Sequence, residues 1–378
     1  MFADTHLHII SFDVPYPPDY GGVVDVYYRI KALSDLGVKV HLHCFEYGRG
    51  MPKELKDLVF DVQYYKRRKT LADSFHKLPF IVKTRDSKHL IQNLLKDDHP
   101  ILFEGLHSCF YLSDERLKQR FKIVRMHNIE HDYYRGLAKQ SEGFRKRFFR
   151  KETKKLEQFE RILKHANQIY AIKESDRLHF EQYGVPAQVL PASVPELSVE
   201  RKQETEPYCL FHGNLSVSEN EDAVSWLISE VFIPIGKCDR LIVAGKSPKD
   251  RIRSLCDEHG VKLIADPSHD QMNDLIRQAR VHVFYSDLAT GVKLKLLNAM
   301  ASNGHIIVNH KMVEGNNLVD HCNLALIEED YQYLVKKKLA VELDEQSFQD
   351  RINFLNSHYN TRIHCADIIR LIELQDGV

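Results

Sequence analysis

The stretch LHIISFDVPYPPDYGGVVDVYYRIKALSDLGVKVHLHCF, residues 7–45, decides the fold. Its opening, LHIISFD, is a short apolar run that reads as a strand. GVVDVYYRIKALSDLG, residues 22–37, spaces its apolar side chains for a helix and stops at Gly37. VKVHLHCF, residues 38–45, is the next strand. Strand, helix, strand is one βαβ unit, and such units build parallel sheets because the crossover helix carries the chain back to the starting edge.

Working outward, the same alternation continues. LVFDVQYY (58–65), PILFEG (100–105), KIVRM (122–126) and NQIYAI (167–172) are strand candidates. After residue 206 the pattern restarts with YCLFHG, RLIVAG, VKLIA, RVHVFY, GHIIVN and LALIE. Between the two series lies PASVPELSVERKQETEP (191–207), rich in proline and charge, which reads as a linker. The expected architecture is α/β, with two doubly wound domains facing a cleft. They span residues 1–195 and 206–355, and a C-terminal helix at 356–378 packs back on the first. In open parallel sheets ligands sit beyond the carboxyl ends of the strands, so functional residues should follow strands.

Bulk properties narrow the class. The chain has 378 residues, 43% hydrophobic and 28% charged, which suits a soluble globular protein of two domains. Lys+Arg and Asp+Glu are both 53, so the overall charge carries no footprint of nucleic-acid binding. The apolar runs fall short of the roughly 20 residues that a membrane-crossing helix needs. MFADTHLHIISFD lacks a basic segment followed by an apolar one and a cleavage site. Seven cysteines without a CxxC pair point to reduced thiols in a cytoplasm.

Two histidine motifs invite a metal. DTHLH, residues 4–8, resembles the start of metal-dependent amidohydrolases, but His6 and His8 open a strand where that family's histidines close one. Surface or strand-edge histidines are expected instead. His127-x-x-Glu130-His131 has metallopeptidase spacing, which requires one continuous helix. KIVRM before it is strand-like, so His127 ends a strand and the next helix begins near Glu130 to Asp132. No metal is expected.

Other residues suit an anionic ligand. Gly21 and Gly22 follow PPDY and open a helix, where bare backbone N–H groups can approach a phosphate or sugar; a tight turn with positive φ is the other reading. In SDLATGVKLKLLNAMASNGHIIVN (286–309) a loop feeds a helix whose first turn carries Lys293 and Lys295, against the usual acidic preference there. Cations at such a position suit a diphosphate.

GVKLKLLNAMA with the later MVEG resembles the donor-binding motif of retaining, family 4-type glycosyltransferases (glycosyltransferase group 1) with the GT-B fold of two Rossmann-like domains. PPDYGG resembles their N-terminal glycine loop, and RMHNIEHDYY resembles the segment holding the histidine that meets the donor sugar. LFHGNLSVSENEDAVSWLISEVFIPI resembles the start of their C-terminal domain. These blocks stand in family order from about residue 9 to residue 327. The resemblance implies a cytoplasmic hexosyltransferase that uses a UDP- or GDP-sugar, retains configuration and extends a lipid-linked glycan at the inner face of the cell membrane.

It also implies roles. His127, Lys293 and Lys295 would be catalytic, with His127 against the sugar and both lysines on the diphosphate. Gly21, Gly22, Asn214, Lys246, Thr290, Gly291 and Asn298 would bind the donor. Thr290 and Asn298 stand where relatives carry two glutamates, and GNLSVSEN lacks the Arg and Lys that often follow the first strand of the second domain. A catalytically silent GT-B protein that binds a glycan or partner is the other reading of those losses. Asn214 and Ser216 could supply donors there.

Two features lie outside these blocks. Glu104 and His107, after PILFEG begins, are candidates for the acceptor side; a capping Glu and a packed His are the plainer reading. The cation-rich run at 144–164 carries Phe149, Leu156, Phe159 and Leu163 at helical spacing. It reads as a solvated helix face or as a surface for anionic lipid.

Overall fold

β-branched runs and amphipathic helices assemble into two parallel sheets in the computed structural model, which describes residues 2–19, 21–70, 72–195, 206–287, 294–314 and 317–376. The first sheet has seven strands: β1 (His6–Ser11), β2 (Lys39–Glu46), β3 (Asp61–Lys66), β4 (Ile101–Glu104), β5 (Lys122–Arg125), β6 (Gln168–Ala171) and β7 (Ala187–Val189). Their order is β3-β2-β1-β4-β5-β6-β7, every pair parallel. The second has six: β8 (Cys209–Asn214), β9 (Leu241–Lys246), β10 (Lys262–Ala265), β11 (Val281–Phe284), β12 (His305–Val308) and β13 (Asn323–Leu324). Their order, β10-β9-β8-β11-β12-β13, is again wholly parallel. Strand order reverses between β1 and β4 and between β8 and β11. Those switch points are where a doubly wound sheet opens a crevice at its carboxyl edge.

The helices that matter below are α1 (Gly21–Asp35), α2 (Glu130–Lys139), α3 (Gly143–Phe159), α4 (Ser218–Trp226), α5 (Leu294–Met300), α6 (Glu345–His358) and α7 (Thr361–Asp376). α1 ends as its sequence demands. Gly37 takes φ 94°, a left-handed conformation, while Gly37 N–H donates to Ser34 and Val38 N–H to Leu33.

The chain forms two units, one from residues 2–195 and 360–376, the other from 206–287 and 294–359. In the first, α1 and α7 share one face of the sheet: Val23, Val26, Ile30, Cys365, Ile368 and Ile372 are buried with Leu7, Ile9 and Leu42. The opposite face covers Ile10, Phe103 and Val124 with Leu90, Leu94, Leu156 and Leu163. Each fully buried Leu or Ile contributes about 1.5–3 kcal/mol, so both helical layers are needed. α6 keeps the chain in the second unit beyond residue 355, because Leu355 and Tyr359 are buried there.

Several details depart from the sequence reading. β7 lies in a segment without a long apolar run, and the last strand is Asn323–Leu324 rather than LALIE. The basic run divides between α3, which begins at Gly143 with φ 55°, and a 3₁₀ turn at Glu160–His165. His8 is not a surface histidine. It is buried, and its ring bonds His43 at 2.8 Å and Asp97 at 3.0 Å. His6, half-buried, stacks on His99 at 4.4 Å and approaches His41 Nε2 to 2.8 Å.

Candidate functional site

At the carboxyl edge of the first sheet a buried charge network surrounds His127. Glu104 closes β4 and Arg125 closes β5, paired across the sheet, and His127 follows two residues later. His127 Nε2 lies 2.8 Å from Glu104 Oε2, and Nδ1 lies 3.5 Å from Asp25 Oδ2. Arg29 bridges the two acids, with Nε 2.9 Å from Glu104 and Nη2 2.6 Å from Asp25. Arg125 adds a contact to Asp25 at 3.2 Å, and Ser193 N–H donates to Asp25 at 2.6 Å. Two carboxylates thus face two guanidiniums, all nearly inaccessible to water. Burial works against the charge on Asp25, but Arg29 and Arg125 outweigh it and hold the carboxyl well below its usual range. Burial likewise opposes the charge on Glu104, and Arg29 with His127 depresses its pKa.

Sequence reasoning missed Asp25, Arg29 and Arg125. Asp25 and Arg29 stand four apart on α1 among buried Val23, Val26 and Ile30, so a polar pair on an apolar face was the available signal. Glu104 needs correction: it does not line an acceptor surface. It is completely buried behind His127, since Arg29 draws its carboxylate into the protein. Both ring nitrogens of His127 turn toward buried carboxylates, which orients the imidazole firmly.

Gly21 and Gly22 are the first residues of α1, already in helical backbone, so positive φ is not what they serve. Gly105, next to Glu104, does adopt φ 73°; a Cβ there would stand 3.1 Å from His107 Nδ1 and 3.6 Å from the His127 ring. That turn brings His107 beside Phe12, ring centroids 5.3 Å apart, and Phe12 meets His127 edge-on at 5.4 Å. His107 helps to line a cavity of about 370 Å³ with Phe12, Tyr47, Arg67, Arg85 and Tyr134. Burial, then Arg85 and His127, pushes the His107 pKa well down.

The second unit has a carboxyl edge of its own. Asn214 ends β8, Lys246 ends β9 and is exposed, and β11 runs out at Phe284. β8 and β9 approach so closely that a Cβ on Gly245 would lie 1.8 Å from the Gly213 carbonyl oxygen. Lys295, second in α5, donates to Asn220 Oδ1 at 2.8 Å and sets its ammonium over Phe211 (4.7 Å) and Phe284 (5.4 Å). Asn220 in turn donates to the Asn214 carbonyl at 2.9 Å. This chain ties Lys295 to the ends of β8 and β11, at the switch point. Ser216 is corrected as a donor: its hydroxyl and N–H both donate to Asn214 Oδ1, at 2.7 and 3.1 Å. Asn298, one turn beyond Lys295, is half-buried. Thr290, Gly291 and Lys293 lie outside the described residues. Glu219, which accepts from Ser286 at 2.6 Å, is an acid at this edge that no motif had flagged.

The HxxEH histidines do not converge. His127 meets Glu104, whereas His131, on α2, faces Glu160 at 3.3 Å. Glu160 also accepts from His179 (2.6 Å) and Tyr183 (2.7 Å). Among the described residues, His131–Glu160–His179 and His6–His41–His99 are the groupings whose atoms lie close enough to share a metal ion.

Residues 206–352, the second unit, match the family described as Glycosyl transferases group 1. Over 99% of each chain the structure is similar to sucrose-phosphate synthase from Thermosynechococcus elongatus, TM-score 0.71 at 14% identity. The fold is GT-B. A second GT-B relative in structure is WaaG, a glycosyltransferase involved in lipopolysaccharide biosynthesis, with TM-score 0.65 and 13% identity over 96% of this chain and 99% of that one. In sequence the chain is 24% identical to an uncharacterized 44.6 kDa protein in the cps region of Klebsiella pneumoniae, covering 94% of this chain and 96% of that protein.

Proposed function

We propose that this protein is a glycosyltransferase that moves a hexose from a UDP- or GDP-sugar to a growing, lipid-linked glycan, with retention of anomeric configuration. The observation that carries the reading is the match of residues 206–352 to Glycosyl transferases group 1 within a chain folded as GT-B throughout. WaaG's role in lipopolysaccharide biosynthesis and the cps-region setting of the Klebsiella protein support a polysaccharide acceptor.

In this reading the donor's glycosidic bond breaks through an oxocarbenium-like state while negative charge grows on the departing diphosphate. Lys295, held by Asn220 and two aromatic rings, is one cation for that charge; Lys293 and Lys246 are the others. Gly291, Thr290, Asn214 and Asn298 complete the donor contacts, Asn298 toward a ribose hydroxyl. Gly21 and Gly22 admit the sugar and phosphates at the mouth of α1, and His127 packs against the sugar. A diphosphate leaves without a strong acid, so no carboxylate pair of glycosidase spacing is required. Lysines supply the electrostatic role that a metal ion plays elsewhere. A cytoplasmic enzyme meets a lipid-linked acceptor at the membrane's inner face, and the surface around α3 suits that contact. Phe144 and Phe75 are 82% and 77% exposed beside its cations. No helix among the described residues is long and apolar enough to cross a membrane.

Release of UDP or GDP from a panel of their hexose conjugates, with glycan acceptors from capsular material, tests the reading. Turnover with at least one donor is expected, and Lys295→Ala should reduce it ~10²–10³-fold. The second reading, a catalytically silent glycan binder, is favoured by Thr290 and Asn298 at the glutamate positions. No release from any donor by folded protein would decide for it.

A further inference from the structure

The 370 Å³ cavity of the first unit is lined by two arginines, Arg67 and Arg85, with which no carboxylate among the described residues forms an ion pair. Arg85 is 2% exposed, yet no carboxylate among the described residues forms an ion pair with it. Its Nε donates to the Phe12 carbonyl at 2.8 Å and Nη1 to the Ile81 carbonyl at 2.5 Å, and neither acceptor carries charge. Arg67 is similar: Nε donates to Thr84 Oγ1 at 2.9 Å, and no acid among the described residues pairs with the rest of its fork. Lys69 joins them, the three cationic groups standing 4.6, 5.8 and 4.5 Å (Arg67, Arg85, Lys69) from the Tyr47 ring centroid.

The acids nearby offset this charge only from a distance. Asp13 hydrogen-bonds Tyr47, receives the Val14 N–H at 2.8 Å and favours the Arg85 charge through space, but burial and Arg67 act against that charge more strongly. Glu130 feels Arg85, but burial and Glu160 push its pKa up to about 8, so the carboxyl keeps its proton at neutral pH. Buried charges in folded proteins are normally paired, and a guanidinium fork matches a phosphate or carboxylate in two hydrogen bonds. A buried, unpaired Arg85 facing an open cavity is therefore half of an interaction whose other half arrives from outside.

We propose that this cavity seats an anionic group, a phosphate or a carboxylate, carried by the molecule that receives the sugar. The designation of that molecule as acceptor rests on the transferase reading; the anion seat does not. Arg85 and Arg67 grip the anion, while the faces of Phe12, Tyr47 and Tyr134 pack on the ring or chain attached to it. Phe12 touches both His107 and His127, so the seat lies one aromatic ring from the oriented imidazole. A neutral glycan would leave the arginines desolvated and uncompensated, which makes the charge a specificity determinant.

Calorimetric titration of full-length protein with glucose 6-phosphate, glucuronate and glucose tests the seat. Glucose 6-phosphate or glucuronate should bind at least tenfold more tightly than glucose, and whichever does so identifies phosphate or carboxylate as the natural group. Arg67→Gln, half-exposed and tolerable to the fold, should weaken that binding at least tenfold, and Arg67→Glu should abolish it. Lys295→Ala should leave it unchanged, which separates this seat from the donor's. Equal affinity for glucose and its anions, insensitivity to Arg67→Gln, or loss in Lys295→Ala would overturn the proposal. Anion binding that follows Arg67 in a protein that releases no nucleotide upholds the seat and rejects the transferase reading alone.

Discussion

His127 owes its position to groups that no motif contains. Glu104 and Asp25 face its two ring nitrogens, and Arg29 and Arg125 hold those acids charged in a dry environment. Such networks add little net stability when intact, but removing one partner strands the rest. Glu104→Ala should destabilise the protein by about 3–5 kcal/mol in urea unfolding, since Arg29 and His127 each lose one of two carboxylate partners. A cost below about 0.5 kcal/mol would mean a solvent-exposed Glu104. Glu130 gives a pH signature of opposite kind. Its pKa rises from an ordinary 4.5 to about 8 through burial and the proximity of Glu160. The folded state then keeps a proton that the unfolded chain releases, so stability falls as pH climbs from about 5 to 8. Glu130→Gln does not titrate, and its thermal midpoint relative to wild type should rise progressively between pH 5 and pH 8. A pH-independent difference would show that Glu130 does not titrate in that window. His127 and Glu104 were visible in sequence because both follow strands. Asp25 and Arg29 were not, because a charged pair on a helix is ordinarily solvated, and only the sheet's closure above α1 buries it.

At the scale of elements, legibility followed local chemistry. The βαβ opening, the strand ends and the cap at Gly37 depend on neighbours in sequence, and they emerge where expected. β7 and β13 are short edge strands held by one neighbour each, so pairing rather than composition defines them. The basic run shows the same limit. Its buried stripe, with Leu156 and Leu163, was readable, whereas the break into α3 and a 3₁₀ turn was not. Arg145, Arg147, Arg150 and Lys151 remain on its exposed side, with Phe144 at its start. Flotation with vesicles containing anionic lipid should carry the protein upward more than neutral vesicles do. Replacing Arg145, Arg147 and Arg150 by Gln should cost about 1 kcal/mol of binding per charge, roughly 100-fold together. Equal flotation on anionic and neutral vesicles would exclude a lipid-docking role for α3.

For the whole molecule, two restarts of one strand-helix pattern made the architecture readable, since parallel order and handed crossovers leave few alternatives. The site was less legible. In the first unit the candidate residues gather from β1, β4, β5 and α1, in the second from β8, β9, β11 and α5, and spacing along the chain does not encode either gathering. Arg67 and Arg85 meet at one cavity only through the fold, and that no carboxylate among the described residues pairs with either is a fact of three dimensions. The central claim is that the second unit holds a nucleoside diphosphate with its phosphates at Lys295. Thermal unfolding of full-length protein with UDP or GDP tests it most directly. One nucleotide, at about 100 times its dissociation constant, should stabilise by ~2.7 kcal/mol, roughly 5–10 °C in midpoint, and Lys295→Ala should remove most of the shift. A midpoint unmoved by either nucleotide at millimolar concentration, or an equal shift in Lys295→Ala, would contradict the account.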